Sequence, residues 1–158
     1  MEVFEPESKY LTRRYKLFWV DCKAKSINIC LQEAALHGIP CVNVGKELAQ
    51  FLSQKGNSKF LSLETEEELK KIISQKSKLA KSGNLSVSLY NLGILLEPNL
   101  KIDATKIIKE LSKEISIIIL WEGLTSEPAY FYWTEKNNEF GFNFSETNIN
   151  KIIFQNEI

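Results

Sequence analysis

No glycine stands between Val20 and Gly38, and this absence sets the terms for reading the first half of the chain. That stretch carries an apolar segment, Leu17–Val20, then Asp-Cys-Lys-Ala-Lys-Ser at 21–26, then apolar residues at helical spacing (Ile27, Cys30, Leu31 and Ala34). A phosphate-binding loop here needs Gly-x-x-x-x-Gly-Lys-Ser/Thr, because glycines let backbone N–H groups converge on phosphate at a helix N-terminus. Histidine is also scarce. His37 is the sole one, so a histidine metal cluster or a serine–histidine relay has too few members. The three cysteines, Cys22, Cys30 and Cys41, lack Cys-x-x-Cys spacing, which argues against zinc and against a disulfide scaffold. They read as reduced, buried thiols.

Net charge is absent too. Lys+Arg and Asp+Glu balance at 20 each, which removes the global electrostatic reason to expect direct binding to nucleic acid or an anionic membrane. Apolar runs such as Ile115–Trp121 have strand length and fall far short of a membrane span. The acidic start, Met-Glu-Val-Phe-Glu-Pro-Glu, reads as neither a signal nor a transit peptide, so the expected location is cytoplasmic.

What is present is ordinary for a core-forming protein. The 158 residues, 44% hydrophobic and 25% charged, suit one α/β domain over residues 1–158. Ser8–Lys16 reads as a short helix or lead-in. Leu17–Val20 reads as a buried strand and Lys25–Leu36 as a helix closed by His37-Gly38, a pairing that suits the dipole and a left-handed cap. Cys41–Val44 is the second expected strand, broken by Gly45, and Leu48, Phe51 and Leu52 mark the next helix. Gln54–Lys59 reads as a polar loop.

Thr65-Glu66-Glu67-Glu68 has the form of a capping box before Leu69, Ile72 and Ile73. The lysines that follow suit the C-terminal half of a solvated helix and the polar loop after it better than a phosphate patch. Leu85–Leu89 is the third strand, and Asp103 caps a helix with an apolar face of Ile107, Ile108, Leu111 and Ile115. Ser116–Trp121 is apolar enough to lie inside a parallel sheet covered on both faces. Tyr130–Thr134 and Phe140–Phe144 read as an antiparallel hairpin at the edge of that sheet, turning at Asn137-Asn138. Asn148–Phe154 fits a helix or a strand.

Three stretches together carry a resemblance: Pro40–Leu52 (PCVNVGKELAQFL), Leu89–Lys101 (LYNLGILLEPNLK) and Ala104–Gly123 (ATKIIKELSKEISIIILWEG). In order and spacing they resemble BrxF, the small P-loop protein of type-3 BREX phage-defence systems. The resemblance runs from about Lys16 to Tyr132. It implies a P-loop-NTPase-like, mostly parallel sheet flanked by helices, and a role in a bacterial anti-phage operon. It places Lys25 and Ser26 at the Walker Lys-Ser/Thr, Tyr90 at the acidic Walker B position, Asn91 at its neighbour, and Gly93 where the family tends to have an acidic residue. The loop before Lys25 is shortened and lacks both glycines.

The residues point the same way. Tyr90 cannot replace a carboxylate beside Mg²⁺, Cβ atoms crowd a phosphate cradle, and Asp21 repels phosphate. Lys23, Lys25 and Ser26 therefore have two readings: a remnant phosphate site, or, preferred, a basic turn with Ser26 as N-cap. No cofactor is expected, although ATP with Mg²⁺ is the group that a surviving site would take.

Glu97-Pro98 and Asp103 fit a turn and a helix cap better than an acid/base pair. The run Tyr130, Phe131, Tyr132, Trp133 has more aromatic surface than one strand face can bury, and core packing and a protein contact are both open readings. The leading expectation is a non-catalytic defence-system component that acts by assembly with itself or with other system proteins, reaching nucleic acid only through partners and engaging no membrane. The alternatives are an ATPase-like switch using Lys23, Lys25 and Ser26, and a nucleic-acid-binding accessory protein.

Overall fold

The computed structural model describes residues 2–3, 14–56, 58–133, 135 and 140–154. Strand β6 (Ser116–Trp121) organises the rest, because all six of its residues are buried. A strand with no solvent face needs neighbours on both edges and cover on both faces. The edges are supplied by β2 (Leu17–Asp21) and β5 (Leu85–Tyr90), each parallel to β6. Beyond β5 lies β3 (Cys41–Asn43), also parallel. Beyond β2 lie β10 (Asn150–Ile153) and β1 (Glu2–Val3), parallel again. The order is thus β1-β10-β2-β6-β5-β3, and the short β4 (Lys78–Leu79) pairs antiparallel with β5 off this path. The parallel relation expected of the four strands at 17, 41, 85 and 116 holds.

Period-two alternation divides the core into two apolar layers. Phe18, Val20, Ile118, Leu120 and Ile152 face Cys30 and Ala34 of α1 (Ile27–Leu36). Leu17, Val87, Leu89, Ile117, Ile119 and Trp121 face the opposite layer. There they meet α2 (Val44–Lys55), α3 (Leu61–Lys76) and α4 (Ala104–Leu111). The caps of α1 and α4 follow the sequence. Ser26 accepts from the Ile29 amide, Asp103 accepts from the Lys106 amide, and Gly38 takes φ +73° just after α1.

Several expectations are corrected. The capping box at Thr65 does not start α3, which begins a turn earlier at Leu61; Thr65 is buried within it and donates its hydroxyl to the Leu61 carbonyl. Val44 is not strand but the first residue of α2, because Asn43 turns from the sheet and accepts from the Lys46 amide. Gly45 therefore does not break a strand, and α2 runs on to Lys55 through residues expected as loop. Ile115 lies beyond α4 and packs in the core without belonging to its helical face.

The aromatic strands do not extend the parallel sheet at its edge. β8 (Tyr130–Tyr132) pairs with β9 (Gly141–Asn143) and also with β7 (Leu124–Ser126), a strand the sequence did not reveal, to form a separate antiparallel sheet. Its Phe131, Phe142 and Phe144 cover Trp121 at the end of β6. The open choice for the C-terminal segment resolves as strand β10. The expected lead-in at Ser8–Arg13 and the turn at Asn137-Asn138 lie outside the described residues.

Gly45 has a packing role. A Cβ at this position would sit 2.4 Å from Asn91 Nδ2 and 2.9 Å from the Asn91 carbonyl oxygen. Asn91, held at φ 56°, in turn donates to Asn43 Oδ1 at 2.7 Å, tying the end of β5 to the cap of α2. Gly45→Ala is expected to destabilise the protein by about 1–3 kcal/mol, the usual cost of overpacking a fixed contact. Urea denaturation measures it, and a change within about 0.5 kcal/mol, the range of a neutral surface substitution, would show that the approach is not constraining.

Candidate functional site

Because β2, β3, β5, β6 and β10 run parallel, their carboxyl ends share one edge of the sheet. Ligands of open α/β sheets bind outside that edge. The loop carrying Lys23, Lys25 and Ser26 leaves β2 there, between Asp21 and the start of α1. The structure therefore places all three predicted residues where a phosphate site would lie. It also shows how their donors are used.

Lys25 is committed to a carboxylate. Its Nζ lies 3.0 Å from Glu33 Oε1 and 3.2 Å from Oε2, spanning both oxygens. The Glu33 side chain is only 6% exposed, whereas that of Lys25 is 43% exposed. A nearly buried carboxylate with no cation is costly, so Lys25 is held by the folded state itself. Glu33 drew no attention in the sequence. Its signal was the spacing: eight residues beyond Lys25 and two turns into α1, it lies on the same side of the helix as the loop.

Three backbone donors around the loop are engaged as well. Asp21 Oδ1 accepts the Lys23 amide at 3.0 Å, the Cys22 amide donates to the Trp121 carbonyl at 2.8 Å, and Ser26 Oγ receives the Ile29 amide at 3.3 Å. A phosphate would compete with two side-chain oxygens, one of them on a carboxylate, for N–H groups already satisfied. Asp21 also meets Lys151 Nζ at 3.6 Å, and that ammonium lies 5.0 Å from the centre of the Trp19 ring. Ser26 is the N-cap, as the preferred reading held.

Most of the other positions singled out by the sequence sit at the same edge without converging on this loop, and His37 lies at the opposite edge, just before β3. Tyr90 ends β5 and packs against the α1 layer, and Asn91 is held by Asn43. A Cβ at Gly93 would meet nothing within 4 Å. His37 is the C-cap of α1, its ring 5.3 Å from that of Phe154. Glu97 precedes a short 3-10 turn, Pro98–Leu100, and Asp103 caps α4. No group of three or more His, Cys, Asp or Glu side chains among the described residues could hold a metal. No helix among them is long and apolar enough to cross a membrane.

Cys22 and Cys30 are buried free thiols in the α1 layer, and Cys41 is half-buried. Burial raises all three thiols above their usual range, Cys22 most, so the thiolate form is disfavoured. A thiol-specific disulfide reagent at pH 8 is expected to leave Cys22 and Cys30 unmodified in the native protein and to titrate all three in denaturant. Fast native labelling of either residue would contradict this.

Comparison with protein-family models, with curated proteins and with solved structures finds no significant match. The reading of this site therefore rests on its geometry.

The ion pair gives a direct expectation. Lys25→Ala strands the Glu33 carboxylate, and because the lysine end is partly hydrated the cost should be about 1–2 kcal/mol, below the 3–5 kcal/mol of a fully buried pair. Adding Glu33→Gln should recover most of that loss. Denaturation of the single and double variants measures it, and a neutral Lys25→Ala would free the lysine for another role.

Proposed function

We propose that the chain is a non-catalytic α/β protein with a P-loop-like frame, one that works by assembly with other proteins. The observation that carries this reading is the closed state of the loop after β2: its lysine is held by buried Glu33 and its Lys23 amide by Asp21. The P-loop-like element is the succession of central parallel strand, short loop, Ser26 and helix α1. Nucleotide chemistry lacks its parts, since Tyr90 ends β5 in place of a carboxylate and no glycine opens the loop.

Assembly is supported by two large side chains at the same edge, Trp133 and Phe140, which are 46% and 41% exposed. The aromatic run thus divides. Phe131 and Tyr132 are buried, Tyr130 stacks on Tyr132 with ring centres 5.6 Å apart, and Trp133 remains for contact. Aromatic anchors of this kind concentrate binding energy at interfaces. The resemblance to BrxF gives this role a setting. The proposed partners are the other proteins of a bacterial anti-phage system or a second copy of the chain, with nucleic acid reached only through them.

The test is nucleotide independence. With Mg²⁺ present, ATP should not turn over above background and should leave the melting temperature unchanged. A ligand at a hundred times its Kd would add about 2.7 kcal/mol, a shift that a thermal scan resolves. Co-purification from cells carrying the native neighbouring genes should yield the same partner with and without ATP. A thermal shift abolished by Lys23→Ala, or a partner released by ATP, would favour the nucleotide switch instead.

A further inference from the structure

Beyond the carboxyl ends of β5 and β6 lies a cleft of about 360 Å³, lined by Gly93, Leu96, Glu97, Pro98, Trp133 and Phe140. A second hollow of about 200 Å³ continues it, sharing Leu96, Glu97, Pro98 and Phe140 and adding Lys101 and Ile102. The cleft is separate from the loop of Lys23, Lys25 and Ser26, and it occupies the sheet edge where α/β proteins take ligands.

Its chemistry is specific. Trp133 is braced edge-on by Trp121, with ring centres 5.5 Å apart, so the half-exposed indole is positioned by a buried neighbour. Phe140 supplies a second exposed ring. Glu97 is exposed and forms no ion pair or side-chain hydrogen bond among the described residues. Glu97 and Lys101 line the second hollow together without pairing, and Lys101 is absent from the first. Among the described residues, the lining of the first compartment therefore combines π surface with one acceptor-only anion.

A planar cation with N–H donors satisfies both features at once. A guanidinium stacks its plane on an aromatic face and donates in parallel to a carboxylate, whereas an ammonium is a point charge without the plane or the two-pronged donor edge. A neutral ring would stack but leave the carboxylate without a counter-charge. We propose that this cleft receives an arginine side chain presented by an extended segment of a partner protein, with Lys101 favouring an acidic or neutral residue in the adjoining hollow. Such a site deepens, and rests on, the assembly reading.

The test uses the full chain with ¹⁵N-labelled tryptophan, the Trp133 indole N–H signal being assigned by Trp133→Phe. The probes are acetyl-Ala-Arg-Asp-amide and the same peptide with citrulline, which keeps the shape and removes the charge. The arginine peptide should shift the Trp133 signal saturably, and citrulline should bind roughly tenfold more weakly, as expected for loss of a cation–π contact and an ion pair. Glu97→Gln should weaken arginine binding by a similar factor. Gly93→Trp should abolish it, because a side chain there enters open space and leaves the other tryptophan signals native.

Equal binding of citrulline, stronger binding of a nucleoside, or no shift at millimolar arginine peptide would each overturn the arginine site. So would concentration-dependent dimerisation that fills the cleft with a second copy. Co-purification of Gly93→Trp separates the two readings. A partner retained by Gly93→Trp although peptide binding is lost sinks the cleft as the docking site and leaves assembly standing; an unsubstituted chain that binds the peptide but co-purifies with no partner removes assembly.

Discussion

The constraint on which the architecture depends is the complete burial of β6. Six residues without a solvent face, Ser116–Trp121, oblige the chain to flank them with β2 and β5 and to cover both faces. The α1 layer covers one side. The three helices α2, α3 and α4 and the small antiparallel sheet cover the other. Trp121 shows why the small sheet is needed: its ring, at the last position of β6, is enclosed by Phe131 and Phe142. The same arrangement brings the ends of five parallel strands to one edge, where loops from distant segments meet.

In the loop after β2 the protein turns several of its polar groups on one another. Where a phosphate loop leaves backbone donors open, this chain uses Asp21 and Ser26 to cap them internally. Where such a loop presents a free lysine, Lys25 is drawn back to Glu33. Each contact is modest alone. Together they tie the turn after β2 to its own side chains, while Trp133, Phe140 and Glu97 line a separate cleft.

Much of this was legible in residues whose local and tertiary roles agree. The parallel strands at Leu17, Cys41, Leu85 and Ser116, the caps at Ser26, His37-Gly38 and Asp103, and the location of the basic turn all follow from apolar period and cap chemistry. The failures have physical reasons. Thr65 offered a local cap, but its hydroxyl was needed inside α3 by the Leu61 carbonyl. Val44 was read as strand because apolar residues alternate up to it, yet Asn43 ends the strand and its side chain caps α2. The separate sheet was hidden because β7, with Leu-Thr-Ser, has almost no apolar pattern. Glu33 was missed because pairing was sought within the loop and not along the helix after it.

The central claim is that the loop after β2 is closed to anions. Its most direct test is a titration of the ¹⁵N-labelled full chain with inorganic pyrophosphate, following the backbone amides of residues 21–29. The account predicts that the Lys23 and Ile29 amides, already bonded to Asp21 and Ser26, keep their positions up to millimolar pyrophosphate. Saturable shifts of those amides together with Lys25 and Ser26 would show that the loop opens to bind phosphate, and would contradict it.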